Sequence, residues 1–415
     1  MVHQYESLSE ALPRRALILA LAALLGLASL TSGKDAPPKP PSNDDCLTCP
    51  DDASATRSDG RPLPPVKDKL ASSLHGALDI ACVDCHVDLA KTADFPHEEK
   101  LQKASCAACH ADAVTAYTKS IHARARREAA DSPAASCADC HGSHDIKPSS
   151  DPASLTNHFN VPDTCAKCHG NPDTIEKGKI AAGNVPLRYD DSIHGKALHK
   201  SGLKVAPNCS TCHGNHEIRQ AKDGASRVSH ANIPGTCGSC HEGIKTVYDA
   251  SVHGKALEEG NPRAAVCSDC HTAHGIKTVG PSWHLEVARE CGTCHQESIR
   301  TFRDTFHGKV TALGFVRAAS CSDCHGSHDI LPKRDPRSKV AAGGRLATCQ
   351  KCHTGVPAKF ARYDPHADPE NRDRNPGLYY TTQFMRLLLG AVFAFFGIHT
   401  ALWLPRSWKA RRDNQ

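Results

Sequence analysis

Residues 267–276 read CSDCHTAHGI, and the pattern returns as CADCHGSHDI at 137–146, CSTCHGNHEI at 209–218 and CSDCHGSHDI at 321–330. Each copy holds Cys-x-x-Cys-His and, three places on, a second histidine. Two thiols one helical turn apart reach the two vinyl groups on one edge of a porphyrin, and the following histidine turns its imidazole onto the iron. Cys-x-x-Cys-His is therefore the attachment signal for c-type haem.

All 22 cysteines of the 415-residue chain fall into eleven Cys-x-x-Cys pairs, ten of which run into histidine. The thioether positions are Cys82/Cys85, Cys106/Cys109, Cys137/Cys140, Cys165/Cys168, Cys209/Cys212, Cys237/Cys240, Cys267/Cys270, Cys291/Cys294, Cys321/Cys324 and Cys349/Cys352. The proximal ligands that follow them are His86, His110, His141, His169, His213, His241, His271, His295, His325 and His353. Zinc would need two such pairs, or a pair with a His-x-His arm, for each metal. A redox dithiol occurs once in a βαβ setting, not in an array without strands.

Composition agrees with a haem-filled interior. Aromatic residues are 5% of the chain and strongly apolar runs are absent between residues 34 and 378, so ordinary core material is scarce. Ten motifs in that stretch leave about 34 residues each, too few to wrap a porphyrin in its own domain, so macrocycles must pack on one another. The formal charge of +5 is offset by two propionates per haem, and Lys and Arg read as a solvated face and propionate partners, not as a nucleic-acid surface.

In register, the motifs form five two-haem units, a repeat of 54 to 72 residues. The first motifs begin at Cys82, Cys137, Cys209, Cys267 and Cys321, and the second at Cys106, Cys165, Cys237, Cys291 and Cys349. Spare histidines recur at two places. His144, His216, His274 and His328 lie three residues past a proximal histidine, and His75, His122, His194, His253 and His307 sit in Ser-x-His-Gly-like segments. His366 of YDPHAD falls 13 residues past His353, as His122, His253 and His307 fall 12 past theirs, so the spacing groups it with that second class. His97 of FPHEE completes eleven distal candidates. Two histidines three apart on a helix share one face and cannot clasp one iron, and twelve helical residues span about 18 Å, so spare histidines must serve neighbouring haems. His158, His230 and His284, each seven residues before a second motif, are an alternative distal set, although unit five lacks a counterpart. His3 and His199 read as surface residues.

The ends carry targeting signals. Residues 1–33 hold Arg14, Arg15 and the run ALILALAALLGLASL, which fits a secretory signal, with an uncleaved anchor as the alternative. Residues 34–65 form a proline-rich linker containing CLTCP at 46–50, residues 66–366 form a decahaem domain, and residues 367–378 form a juxtamembrane linker. Residues 379–405 read as a transmembrane helix, its charge-free stretch 387–404 long enough to span a bilayer, and residues 406–415 as a basic tail on the cytoplasmic side. His399 within that helix is either an interfacial histidine or a ligand for a b-type haem shared with a partner chain.

CSDCHGSHDI with SVHG, the segment FPHEEKL and the terminal GIHTALWLPRS together resemble bacterial multihaem c-type cytochromes of the doubled Cys-x-x-Cys-His type, over residues 44 to about 408. In that group the haem region is often joined to, or encoded beside, a cytochrome b561-like membrane unit, of which only the first helix resembles anything here. The resemblance implies a mainly α fold with much irregular structure, a haem-packed array with one transmembrane helix, and electron transfer through bis-histidine haems.

Two functions follow. Six-coordinate bis-histidine iron has no open position, so the first is a membrane-anchored electron carrier on the periplasmic side of the inner membrane. Its partners would be an inner-membrane cytochrome b or quinol oxidoreductase and periplasmic redox proteins. The second is a multihaem reductase of small nitrogen or sulfur oxyanions, which needs one exchangeable iron; no Cys-x-x-Cys-Lys variant is present. The eleventh pair, Cys46/Cys49, lies 25 residues before His75 through Pro50, as His169 lies 25 before His194, and so occupies a second-motif slot. Proline cannot ligate iron, which leaves either a vacant site with a local disulfide or an eleventh haem lacking its proximal ligand.

Overall fold

The computed structural model describes residues 39–48, 52, 54, 56, 60–62, 66–92, 101–181, 183–280 and 283–413, apart from the side chains of 284, 285, 287 and 288. Residues 1–33, on which the expected secretory signal falls, and Cys49, Pro50 and His97 lie outside the described residues. Among the described residues the protein is helical, with no strand and one isolated bridge, Thr56 to Pro62.

The first motifs fold as single helical turns, Cys82–Cys85, Cys137–His141, Cys209–His213, Cys267–His271 and Cys321–His325. The residue before the second cysteine explains why so short a helix forms. Asp139, Asp269 and Asp323 accept the backbone N–H of Ser136, Val266 and Ser320 at 2.6, 2.8 and 2.7 Å, satisfying the amide just before the helix. In the third unit Thr211 accepts from the Asn208 amide at 3.2 Å, and Asn208 Oδ1 accepts the Thr211 amide in return. The first turn ends at His86 with φ −96°, and the other four stop at a residue of positive φ. Gly142, Gly214 and Gly326 have φ of 83°, 83° and 90°, which glycine adopts without strain, but the fourth unit places Thr272 there at φ 63°.

The second motifs are built differently. Val161–His169 and Trp283–Cys294 carry both cysteines at the C-terminal end of longer helices, whereas Ile233–Gly238 and Arg345–Gln350 end before their second cysteines. Among the described residues buried apolar side chains are few: Ala123, Leu198, Ala206, Tyr248, Ala264, Val266, Phe302 and Ala341. This apolar set is too small to hold the fold unaided.

The chain divides into two compact units, one within residues 1–67 and 80–105, the other from Asp68–Asp79 and Cys106–Gln415. In the first, the Asn43 side chain accepts the Cys82 amide at 2.8 Å and so positions the start of the first motif. The second ends in the helix Pro376–Asp413, 38 residues with a mean hydropathy of 2.0 in its most apolar window and none of that window buried. At about 1.5 Å per residue it is longer than a hydrocarbon core, and it is the one described helix long and apolar enough to cross a membrane. It runs unbroken through Pro405, so the basic residues Arg406, Lys409, Arg411 and Arg412 are helical.

Candidate haem-binding sites

The Ser-x-His segments are built from three local interactions. First, Ser73, Ser120, Ser192, Ser251 and Thr305 cap the turn by accepting the amide three residues on, at 2.9–3.2 Å. Second, the residue after the cap donates its otherwise orphaned amide to the carbonyl that closes a distant first motif: Leu74 to Ile146, Ile121 to Ile218, Ile193 to Ile276 and Val252 to Ile330, at 2.7–2.8 Å. Third, tyrosines five residues before the histidine tie the segment to the next first motif. The hydroxyls of Tyr117, Tyr189 and Tyr248 donate to the carbonyls of Ala135, Pro207 and Ala265 at 2.7, 2.7 and 2.8 Å.

These contacts bring the histidines together in twos. Ring centroids are 6.1 Å apart for His75–His110, 6.2 Å for His122–His169, 6.3 Å for His194–His241, 6.2 Å for His253–His295 and 5.9 Å for His307–His353. The other class gives 5.9 Å for His141–His216, 6.0 Å for His213–His274 and 5.9 Å for His271–His328. His325–His366 lies at 6.2 Å. Two imidazoles on opposite sides of one metal, with metal–nitrogen bonds of about 2.0 Å and ring bonds of about 1.35 Å, have centroids about 6.3 Å apart. Aromatic contacts in general spread over about 4.5–7 Å. Nine pairs confined to 5.9–6.3 Å, each joining one motif histidine to one spare histidine, fit a coordinated metal between the rings.

The direction of crossing is regular. Histidines of the Ser-x-His class reach forward to the second motif of the next unit, and those of the Cys-His-x-x-His class reach back to the first motif of the preceding one. His366 departs from the grouping its spacing suggested. It faces a first-motif histidine, His325, because no sixth unit follows to supply a Cys-His-x-x-His residue. His144 stands at the same place in its motif as His216. His86 belongs to the first unit, as does His97, which lies outside the described residues.

His158 and His230 have other tasks. His158 Nε2 is 2.9 Å from the Ala206 carbonyl and its Nδ1 accepts from Asn208 Nδ2 at 3.2 Å, so it braces the cap of the third unit's first motif. His230 Nε2 is 3.5 Å from the Asp269 carboxylate. The His284 side chain lies outside the described residues. His199 contacts Asp190 at 3.2 Å and packs edge-on against Tyr189.

Chemistry at the pairs is consistent with metal ligation. Burial holds His122, His169, His194 and His253 below the ordinary imidazole range. His274 is held at about 4 by burial, His213 and Arg188. The neutral ring is the ligand form. No methionine lies between Met1 and Met385, so none stands in the motif region to offer a thioether ligand. Among the described residues no three His, Cys, Asp or Glu side chains converge on a single point.

The cysteines also touch in order. The thiols of Cys165 and Cys209, Cys237 and Cys267, and Cys291 and Cys321 lie close together between consecutive units. Within units, Cys140 interacts with Cys165, Cys212 with Cys237, Cys270 with Cys291 and Cys324 with Cys349. Eight attachment sites, from Cys137 to Cys352, are thereby linked in chain order. Cys46 contacts Cys82 in the same register, first cysteine to first cysteine, as between later units.

Six motif cysteines differ from the rest in exposure. Cys106, Cys109, Cys240, Cys270, Cys294 and Cys352 are exposed, whereas the other described motif cysteines are partly covered. All but Cys270 belong to second motifs, and local structure explains the difference. Cys106 and Cys109 precede the helix Ala111–Thr118, and Cys240 and Cys352 fall in the turns that follow Ile233–Gly238 and Arg345–Gln350. Cys294 is the last residue of its helix. A side chain at such an end has fewer neighbouring turns to cover it than one within a helix packed on both sides. Cys109 and Cys240 thus keep the Cys-x-x-Cys-His spacing but sit at the surface.

The repeated tyrosine was missed in the sequence, although its fixed place five residues before His122, His194 and His253 was a readable signal. Unit four has Phe302 instead.

Residues 74–170 match the Cytochrome c3 family, a stretch that runs from the first Ser-x-His segment through four complete motifs. No curated protein and no solved structure matches the chain. The family match supports a multihaem c-type cytochrome with covalently bound haem and an electron-transfer role.

Proposed function

We propose that this chain is a membrane-anchored electron conduit holding ten c-type haems, each on one Cys-x-x-Cys-His motif and each ligated by two histidines. Haem, when bound, supplies one-electron exchange at iron with both axial positions filled. The residues do the rest. Cysteines fix each macrocycle edge, proximal and distal imidazoles close the axial positions, and the crossing of histidines between units locks the array. The observation that carries this reading is the set of nine imidazole pairs at 5.9–6.3 Å. Thiol contacts in chain order favour a linear path over a branched one.

The helix Pro376–Asp413 is the membrane anchor in this reading, its basic end cytoplasmic and the motif region periplasmic after removal of residues 1–33. An inner-membrane quinol-oxidising cytochrome b is the partner at that end, with His399 as a ligand to a shared b-type haem, and periplasmic redox proteins are partners along the array.

The reductase reading needs an open iron, and an eleventh haem at Cys46/Cys49, where proline stands in place of the proximal histidine, would provide one. Pro50 gives that slot no proximal ligand, and a vacant slot with Cys46 and Cys49 joined in a local disulfide is the favoured state. Purified protein should contain ten haems and give a low-spin ferric spectrum unaltered by cyanide or nitrite. Eleven haems with about one-tenth high-spin iron would establish the reductase reading instead.

A further inference from the structure

Unit five ends the repeat, and the chain replaces the missing neighbour with residues 364–370, DPHADPE. Four side-chain hydrogen bonds hold this cap. Asp364 Oδ1 accepts the His366 amide at 2.9 Å and is itself bound by Arg374 at 2.9 Å. Asp368, two places past His366 where the repeats carry isoleucine, accepts from Arg300 at 2.7 Å and is largely buried. Thr301, next to Arg300 and 4% exposed, places its Oγ1 3.1 Å from His366 Nδ1.

The direction of that last hydrogen bond can be worked out. The Thr301 hydroxyl has two carbonyls of its own helix within reach, Glu297 at 3.0 Å and Ser298 at 3.2 Å, and its one proton goes to them. Its remaining lone pair accepts, so His366 carries its proton on Nδ1 and leaves Nε2 unprotonated as the candidate metal-binding nitrogen. Among the described residues, none of the rings of His75, His122, His194, His216, His253, His274, His307 or His328 has a hydrogen bond from a ring nitrogen to a protein group.

We infer that Thr301 is a positioning residue that sets the tautomer and basicity of His366 and thereby lowers the reduction potential of one haem, the one held by Cys321, Cys324 and His325. A ligating imidazole that donates its second N–H becomes a stronger donor to the metal and favours the ferric state. The same cap meets the membrane helix, since Glu370 pairs with Arg386 at 3.3 Å. The tuned site is therefore tied to the start of that helix.

This inference rests on the bis-histidine reading above, and the experiment separates the two. In a spectroelectrochemical titration of the full-length haem-loaded protein, Thr301→Val should move about one-tenth of the absorbance change to higher potential. Thr301→Ser, which keeps the hydroxyl, should superimpose on the unaltered protein. A Thr301→Val curve identical to the unaltered one, or an equal shift in Thr301→Ser, would overturn the role assigned to Thr301. His366→Ala should convert one haem to high spin; a fully low-spin spectrum there would instead overturn the ligand assignment.

Discussion

His141 and His216 belong to different units, yet their rings face each other at 5.9 Å and 19°. If they share one iron, the consequences of removing them do not add. His216→Ala leaves the haem on Cys137/Cys140 attached but five-coordinate, so about one-tenth of the iron becomes high-spin, one site of ten. His141→Ala removes the histidine that attachment requires and yields nine haems, all low-spin, with His216 idle. The double variant should then match His141→Ala: nine haems and no high-spin signal. If His216 served any other iron, the double variant would carry nine haems with one of them high-spin. Haem content by mass spectrometry and high-spin content by electron paramagnetic resonance decide between these. His230→Ala, which removes only a contact to Asp269 at 3.5 Å, should leave both counts unchanged.

Thr272 sits at φ 63° and ψ 173°, a region that costs a β-branched residue about 1–3 kcal/mol. Thr272→Gly should therefore stabilise the turn after the fourth unit's first motif by about 1 kcal/mol net of glycine's extra chain entropy, read as slower amide exchange over residues 267–274. Tyr248→Phe deletes the donor to the Ala265 carbonyl at 2.8 Å and should cost about 1 kcal/mol locally, with exchange accelerating over residues 264–271 and no change in spin state. Truncation before Pro376 should release the protein from membranes that otherwise retain it through a high-salt wash; retention of the truncated chain would remove the anchor assignment.

The Cys-x-x-Cys-His motifs and the two classes of spare histidine were legible because they are fixed residue types at fixed spacing. Helical geometry also excluded ligation within one motif. What it could not supply was the direction of crossing. His216 reaches back to His141 while His122 reaches forward to His169, and that choice is made by amide-to-carbonyl bonds such as Ile121 to Ile218, which leave no trace in residue type. His366 was misgrouped for the same reason: its spacing matches one class, but the absence of a sixth unit turns it to the other task. His158 and His230 sit at a regular spacing that suggested ligation, and their actual partners, Asn208 and Asp269, lie about 40 to 50 residues away. Motif spacing was equally silent on exposure: Cys109 and Cys240 lie at the surface while Cys140 and Cys168, at the same place in identical motifs, are partly covered.

The central claim is that these histidines work in opposed pairs, one pair to each iron. Near-infrared magnetic circular dichroism of the fully oxidised protein, integrated against haem content, measures axial ligation directly. Ten haems per chain, all with the bis-histidine charge-transfer band, is the predicted result. A population near one-half with mono-histidine or hydroxide-ligated iron would mean that the crossing histidines do not bind, and would contradict the account.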